Sequence, residues 1–69
     1  MSEQFHNPLA ILRRKHVESA TGLARSTIYD RIKEGTFPAP LKLGARSVGW
    51  RRSDIDAWLA NPAGYTVKG

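Results

Sequence analysis

Thr21-Gly22-Leu23-Ala24-Arg25-Ser26-Thr27-Ile28-Tyr29-Asp30-Arg31-Ile32-Lys33-Glu34-Gly35 is the stretch that decides the fold of this 69-residue chain. Gly22 and Gly35 each supply the permissive backbone that ends a helix tightly. Between them, residues 25–34 are predicted helical. Ile28 and Ile32 lie i, i+4, with Ala24 one turn earlier, and these three are expected to form the buried stripe. The opposite face holds Ser26, Asp30 and Lys33, flanked by Thr27 and Tyr29. Upstream, Lys15 to Thr21 is predicted to be a second short helix, with Val17 and Ala20 on one side and Leu23 just beyond. Two short helices joined through a glycine turn make a helix-turn-helix.

Downstream, Phe37-Pro38-Ala39-Pro40 is incompatible with helix, because two prolines two apart force an extended path. Leu41-Lys42-Leu43 alternates apolar and basic, as a half-solvated strand does. Gly44-Ala45-Arg46-Ser47 is a hairpin tip, and Val48-Gly49-Trp50 returns. Leu41, Leu43 and Trp50 are expected to point inward. Ser53 is a good N-cap for a last helix, Asp54 to Ala60, with Asp54 and Asp56 in its first turn. Ile55, Trp58 and Leu59 share one face of that helix, and Asn61-Pro62 stops it. Leu9, Ile11 and Leu12 are expected to form a short extended segment against the core. Tyr29 sits at the boundary between core and surface, and Arg31 leans toward the buried side. The resulting fold class is mainly α with a small β-hairpin, a winged helix-turn-helix in a single domain. Residues 1–10 are expected to be a flexible lead-in, 11–60 the folded domain and 61–69 a mobile tail.

Charge is concentrated on that framework. Residues 13–52 carry ten of the eleven Lys and Arg and three of the six acids, so this window holds +7 against +5 for the whole chain. Such a density on a compact helical frame points to a polyanionic partner. The chain has no Cys, which fits a reducing cytoplasm and rules out disulfide and thiolate metal sites. His6 and His16, ten residues apart, make a poor zinc site. The polar, acidic start lacks the features of a signal peptide, and no apolar run approaches the roughly 20 residues of a membrane span. No nucleophile–base set and no phosphate-cradling glycine loop occurs, so neither an enzyme nor a cofactor is expected.

In a helix-turn-helix the second helix enters the major groove. Arg25, Ser26, Tyr29, Asp30 and Lys33 are therefore the candidate base readers, and Thr27, which flanks that face, is included among the DNA-binding residues. Arg25 suits guanine O6 and N7, and Asp30 suits cytosine N4. At the hairpin tip, Arg46 and Ser47 are placed for phosphate or for a minor groove, whose narrow form concentrates negative potential. Lys42, Arg51 and Arg52 flank the tip and are assigned to phosphates. Arg13-Arg14-Lys15 fits two readings equally well, a solvated flank of the first helix or a backbone contact.

The runs Thr21-Gly22-Leu23-Ala24-Arg25-Ser26-Thr27-Ile28-Tyr29, Ile32-Lys33-Glu34-Gly35, Phe37-Pro38, Pro40, Lys42-Leu43-Gly44, Gly49-Trp50 and Asp56-Ala57-Trp58-Leu59 resemble the AlpA family. These are small phage and prophage regulators related to excisionases and, more distantly, to the DNA-binding half of MerR proteins. The resemblance covers residues 11–60. It implies a winged helix that binds double-stranded DNA. The role implied is transcriptional regulation in a prophage or genomic island, or excision alongside an integrase. Family members usually carry Ser where Ala24 stands, as a cap for the second helix; Ser26 is the alternative cap here and would shorten that helix. An antirepressor-type module that keeps the fold without DNA is the competing reading. With Ile55, Trp58 and Leu59 used to close the core, the free chain is expected to be a monomer that contacts neighbouring copies on DNA.

Overall fold

The computed structural model describes residues 10–67, so residues 1–9 of the lead-in, His6 and Leu9 among them, lie outside the described residues. Within them the order is β1 (Ile11–Leu12), α1 (Arg14–Thr21), α2 (Arg25–Glu34), β2 (Leu41–Lys42), β3 (Val48–Arg51) and α3 (Arg52–Ala60). The architecture is the winged helix-turn-helix expected from the sequence. One element goes beyond the hairpin. β1 pairs antiparallel with β3, in register Ile11↔Arg51 and Leu12↔Trp50, so the wing is a three-stranded sheet in the order β1-β3-β2.

Both glycine stops form as predicted. Gly22 has φ 73° and its N–H donates to Glu18 O at 2.8 Å. Gly35 has φ 79°, its N–H donates to Ile32 O at 3.1 Å, and the N–H of Thr36 reaches back to Arg31 O at 2.9 Å. That pair of bonds is the Schellman closure, which satisfies carbonyls the helix end would leave free. In the turn between the helices, Thr21 Oγ1 donates to Val17 O at 2.7 Å and accepts from Leu23 N at 3.3 Å. The hydroxyl thus fixes the angle at which α2 departs, while Leu23 packs against the core.

The core consists of Leu12, Val17, Ile28, Phe37, Trp50, Ile55 and Trp58. Phe37 lies at its centre, with ring centroids 6.5 Å from Trp50 and 5.2 Å from Trp58. Both indoles spend their N–H on the loop that carries Phe37. Trp50 Nε1 donates to Pro38 O at 2.9 Å and Trp58 Nε1 to Thr36 O at 3.0 Å. A buried indole without a partner would be costly, and here each one also staples an irregular segment that has no ladder of its own.

Several side chains depart from the sequence reading. Leu43 is 45% exposed rather than inward. Leu41 pairs with Gly49, on the face opposite Trp50, and strand alternation carries Leu43 to that same outer face. Ser53 is not the N-cap of α3. The strand runs directly into the helix, Arg51 holds the cap position, and the ladder continues one step further as Arg52 N donates to Ala10 O at 2.8 Å. Ser53 therefore falls inside the first turn. Leu59 is 40% exposed, because Ile55 and Trp58 alone fill the space beneath α3. The sequence argument for a free monomer loses that support. Ala24 is exposed and precedes α2 rather than joining its buried stripe, where Ile28 is buried and Ile32 half-buried. After α3, Tyr65 is half-buried against the core and Val67 N donates to Gly35 O at 2.8 Å, contacts that a tail with no periodicity did not announce.

Gly49 is the tight point of the sheet. A Cβ there would collide with Ile11 Cγ2 and sit 3.1 Å from both Leu12 O and Leu43 Cδ1. The backbone of β1 cannot yield without losing its pairing. Gly49→Ala is expected to destabilise the domain by about 1–3 kcal/mol in denaturant unfolding, the usual cost of overpacking. Gly44→Ala at the wing tip, where the nearest atom is Ser47 Cβ at 4.0 Å, should stay within about 0.5 kcal/mol of the parent. Equal effects at the two glycines would contradict this view of the sheet.

Candidate nucleic-acid interface

α2 is held from behind by Ile28 in the core, which turns its polar face outward. Arg25, Ser26, Asp30 and Lys33 are all exposed. Thr27 and Tyr29 are half-buried at the two edges of that face. Tyr29 resolves its boundary position by serving both sides. Its ring packs tilted against Trp50 at 6.5 Å, and the Arg25 guanidinium lies 5.7 Å from the ring centroid on the solvent side. Tyr29 thereby supports Arg25 through a cation–π contact, which restrains a long side chain at the head of the helix. Ala24, Arg25, Ser26, Tyr29 and Asp30 together line an open depression of about 600 Å³.

The start of α2 is polar in a particular way. Ala24 stands at the N-cap with φ −73° and ψ 159°, and no side chain caps the helix. Ser26 therefore does not cap it either, and the helix keeps its first turn from Arg25 onward. That first turn contains no acid. The free N–H groups and the positive end of the helix dipole are left facing solvent beside Arg25, a setting that favours an anion.

The wing tip is closed by Ser47, whose carbonyl accepts from Leu43 N at 2.8 Å and from Gly44 N at 3.3 Å. Ser47 is half-buried by this role, whereas Arg46 and Lys42 are exposed. Arg51 is exposed on the outer face of the sheet, paired in register with Ile11. Arg52 is set apart from the others. It pairs with Asp56 at 3.5 Å and lines a groove between α1 and α3 with Leu12, His16, Ser19, Ala20, Ile55 and Leu59, a groove that none of the other candidate residues enters. The structure thus gathers Arg25, Ser26, Tyr29 and Asp30 into one surface and places Arg46 on the neighbouring wing. Arg46 also keeps company that sequence reading misses. Arg13, Arg14 and Lys15 line a depression with Arg46 and Val48, because β1–β3 pairing brings the exit of β1 alongside the start of β3. The signal was present in the alternation of Ile11 and Leu12, but no hairpin turn links those residues to β3.

Among the described residues no group of three His, Asp or Glu is placed to hold a metal, and no helix is long and apolar enough to cross a membrane.

An empty cap position is a simple place to test how α2 is set. Ala24→Ser adds an oxygen at an exposed residue whose backbone already has the extended geometry of an N-cap. The expected outcome is a gain of about 1 kcal/mol in unfolding free energy, with unchanged far-UV dichroism. A loss of stability would show that α2 begins elsewhere.

Comparison with known proteins agrees with the geometry. Residues 10–62 match the family described as Prophage CP4-57 regulatory protein (AlpA). A protein of Enterobacteria phage P4, "Uncharacterized protein ORF88", is 45% identical over 49 residues, which cover 71% of this chain and 56% of the phage protein. The "DNA-binding transcriptional activator AlpA" of Escherichia coli (strain K12) is 45% identical over 56 residues, covering 72% of this chain and 80% of the relative. No solved structure matches. With the whole helix-turn-helix, the wing and α3 inside the matched span, the chain belongs to the AlpA family of prophage regulatory proteins.

Proposed function

We propose that this chain is a sequence-specific double-stranded DNA-binding protein that regulates transcription, with α2 in the major groove and the wing on phosphates or the minor groove. The observation that carries this reading is the solvent face of α2. Arg25, Asp30 and Lys33 are exposed and, among the described residues, none of them is spent in an ion pair. Asp30 and Lys33 lie three residues apart on the helix yet form no ion pair among the described residues, which leaves a donor and an acceptor for base edges. The name of the Escherichia coli relative favours transcriptional control over excision as the role. An excision factor would use the same surface, and the two roles differ in what is recruited rather than in what is touched.

The division of labour follows from position. Cations on the wing and sheet, Lys42, Arg46 and Arg51, meet the backbone and supply affinity. Arg25 and Lys33 on α2 supply choice of sequence. With about five or six phosphates neutralised together, the slope of log affinity against log salt should be about −4.5 to −5.5 on duplex DNA. Arg25→Ala should relax preference at particular base pairs, with about 1–3 kcal/mol of discrimination lost. Fluorescence anisotropy across a salt series, on the native control region and on a shuffled duplex, measures both. A flat salt response would end the DNA-binding reading and favour the protein-interaction module. Equal affinity for native and shuffled duplexes would remove α2 as the reader while leaving the electrostatics intact.

A further inference from the structure

The depression between α1 and the wing is a cationic site that lies off the face of α2 and joins Arg46 of the wing to residues not yet assigned a role. Arg13, Arg14 and Lys15 line it from one side and Arg46 and Val48 from the other, around a volume of about 200 Å³, and no carboxylate lines it. The charge of Arg14 is already met by its ion pair with Glu18 at 3.0 Å. Arg13, Lys15 and Arg46 are exposed and make no ion pair among the described residues. Their placement also runs against what the fold would choose for itself. Arg13 is the N-cap of α1 and supplies no capping bond, and no acid stands in the first turn. Cations there oppose the helix dipole. The first turn of α3, which also starts on arginines, contains Asp54 as a balancing acid. Charge that does not serve the helix, converging from two separate elements on one concavity, calls for an anion from outside.

We propose that this depression binds a single backbone phosphate of duplex DNA, gripped jointly by Arg13, Lys15 and Arg46, with the first-turn N–H groups of α1 behind them. The proposal rests on the DNA reading above and adds a second anchor to it. The β1–β3 pairing fixes the distance between α1 and the wing, so one phosphate meets both, and the DNA strand that passes the wing continues across the start of α1. A site shared in this way has a signature that solvated surface lacks. Its members are not independent, because once the phosphate is lost the remaining cations have nothing to hold.

The test uses the full chain and a duplex of arbitrary sequence, so it needs no knowledge of the control site. R46Q and the pair R13Q/K15Q are made separately and together; all three positions are exposed, and dichroism confirms the fold. Each change alone is expected to weaken binding about tenfold, the equivalent of one charge-assisted hydrogen bond. The combination should fall well short of the product of the two, and the salt slope should flatten by roughly 0.9, the value for one phosphate. Multiplicative losses with a slope change of about 2 or more would mean separate phosphates and would overturn the shared site, as would no loss at all. Either result leaves the DNA reading standing, since wild-type binding is measured first; a wild type that binds no duplex would remove both. Inorganic phosphate, compared with chloride at matched ionic strength, separates the two sources of the anion. It should compete with duplex for the wild type and lose that advantage in R46Q. Phosphate that strengthens duplex binding instead would make the depression a free-anion site and contradict its assignment to the DNA backbone.

Discussion

Two indole N–H groups tie the irregular segment 36–38 to the rest of the fold. The segment 36–38 joins the helix-turn-helix to the wing and, with its prolines nearby, has no strand or helix to support it. Trp50 from the sheet and Trp58 from α3 each donate to one of its carbonyls, at Pro38 and Thr36, on either side of the buried Phe37 ring. Each bond contributes only about 1 kcal/mol net, but leaving such a group buried and unpaired costs about 1–3 kcal/mol. In a 69-residue chain, where total stability is small, that asymmetry weighs heavily. The indoles also determine geometry. Through them the sheet and α3 are both tied to the loop that leaves α2.

The same contacts connect the core to the surface. Trp50 bonds the loop with its nitrogen, packs on Phe37 with one edge and meets Tyr29 on another. Tyr29 in turn lies under the Arg25 guanidinium. A continuous set of contacts therefore runs from the centre of the domain to the first side chain of α2. The long arginine is presented from a fixed platform, which lowers the ordering cost of using it in recognition. The same economy is visible in the charges. The first turns of α1 and α2 contain no acid, whereas the first turn of α3, which starts at Arg52, contains Asp54, and Arg52 pairs with Asp56. The N-terminal ends of α1 and α2 thus lack the acid that the first turn of α3 contains.

Most of this was legible in the chain of residues, and the exceptions have physical causes. Gly22 and Gly35 are local signals, since a left-handed backbone at a helix end needs little beyond glycine itself, and α2 occupies the predicted residues 25–34. The two tryptophans were legible as core for their size. Their hydrogen bonds were not, because the partners lie 12 and 22 residues away in sequence. β1 was foreseen as an extended segment, yet its pairing with β3 spans most of the chain and carries no turn chemistry to announce it. From that one omission follow the misplacement of the α3 cap at Ser53 and the unsettled role of Arg13 and Lys15. Leu43 went astray for a different reason. Two-residue alternation predicts that Leu41 and Leu43 share a face but not which face, and the register with Gly49 decided it.

Amide resonances recorded as duplex DNA is added to the full chain test the central claim most directly, which is that one side of this domain is built to hold DNA. The account predicts shifts concentrated at residues 13–15, in the first two turns of α2 and at 44–47 of the wing, with Ser19, Ala20 and Leu59 in the groove between α1 and α3 unaffected. Shifts centred on that groove, with α2 and the wing silent, would contradict it.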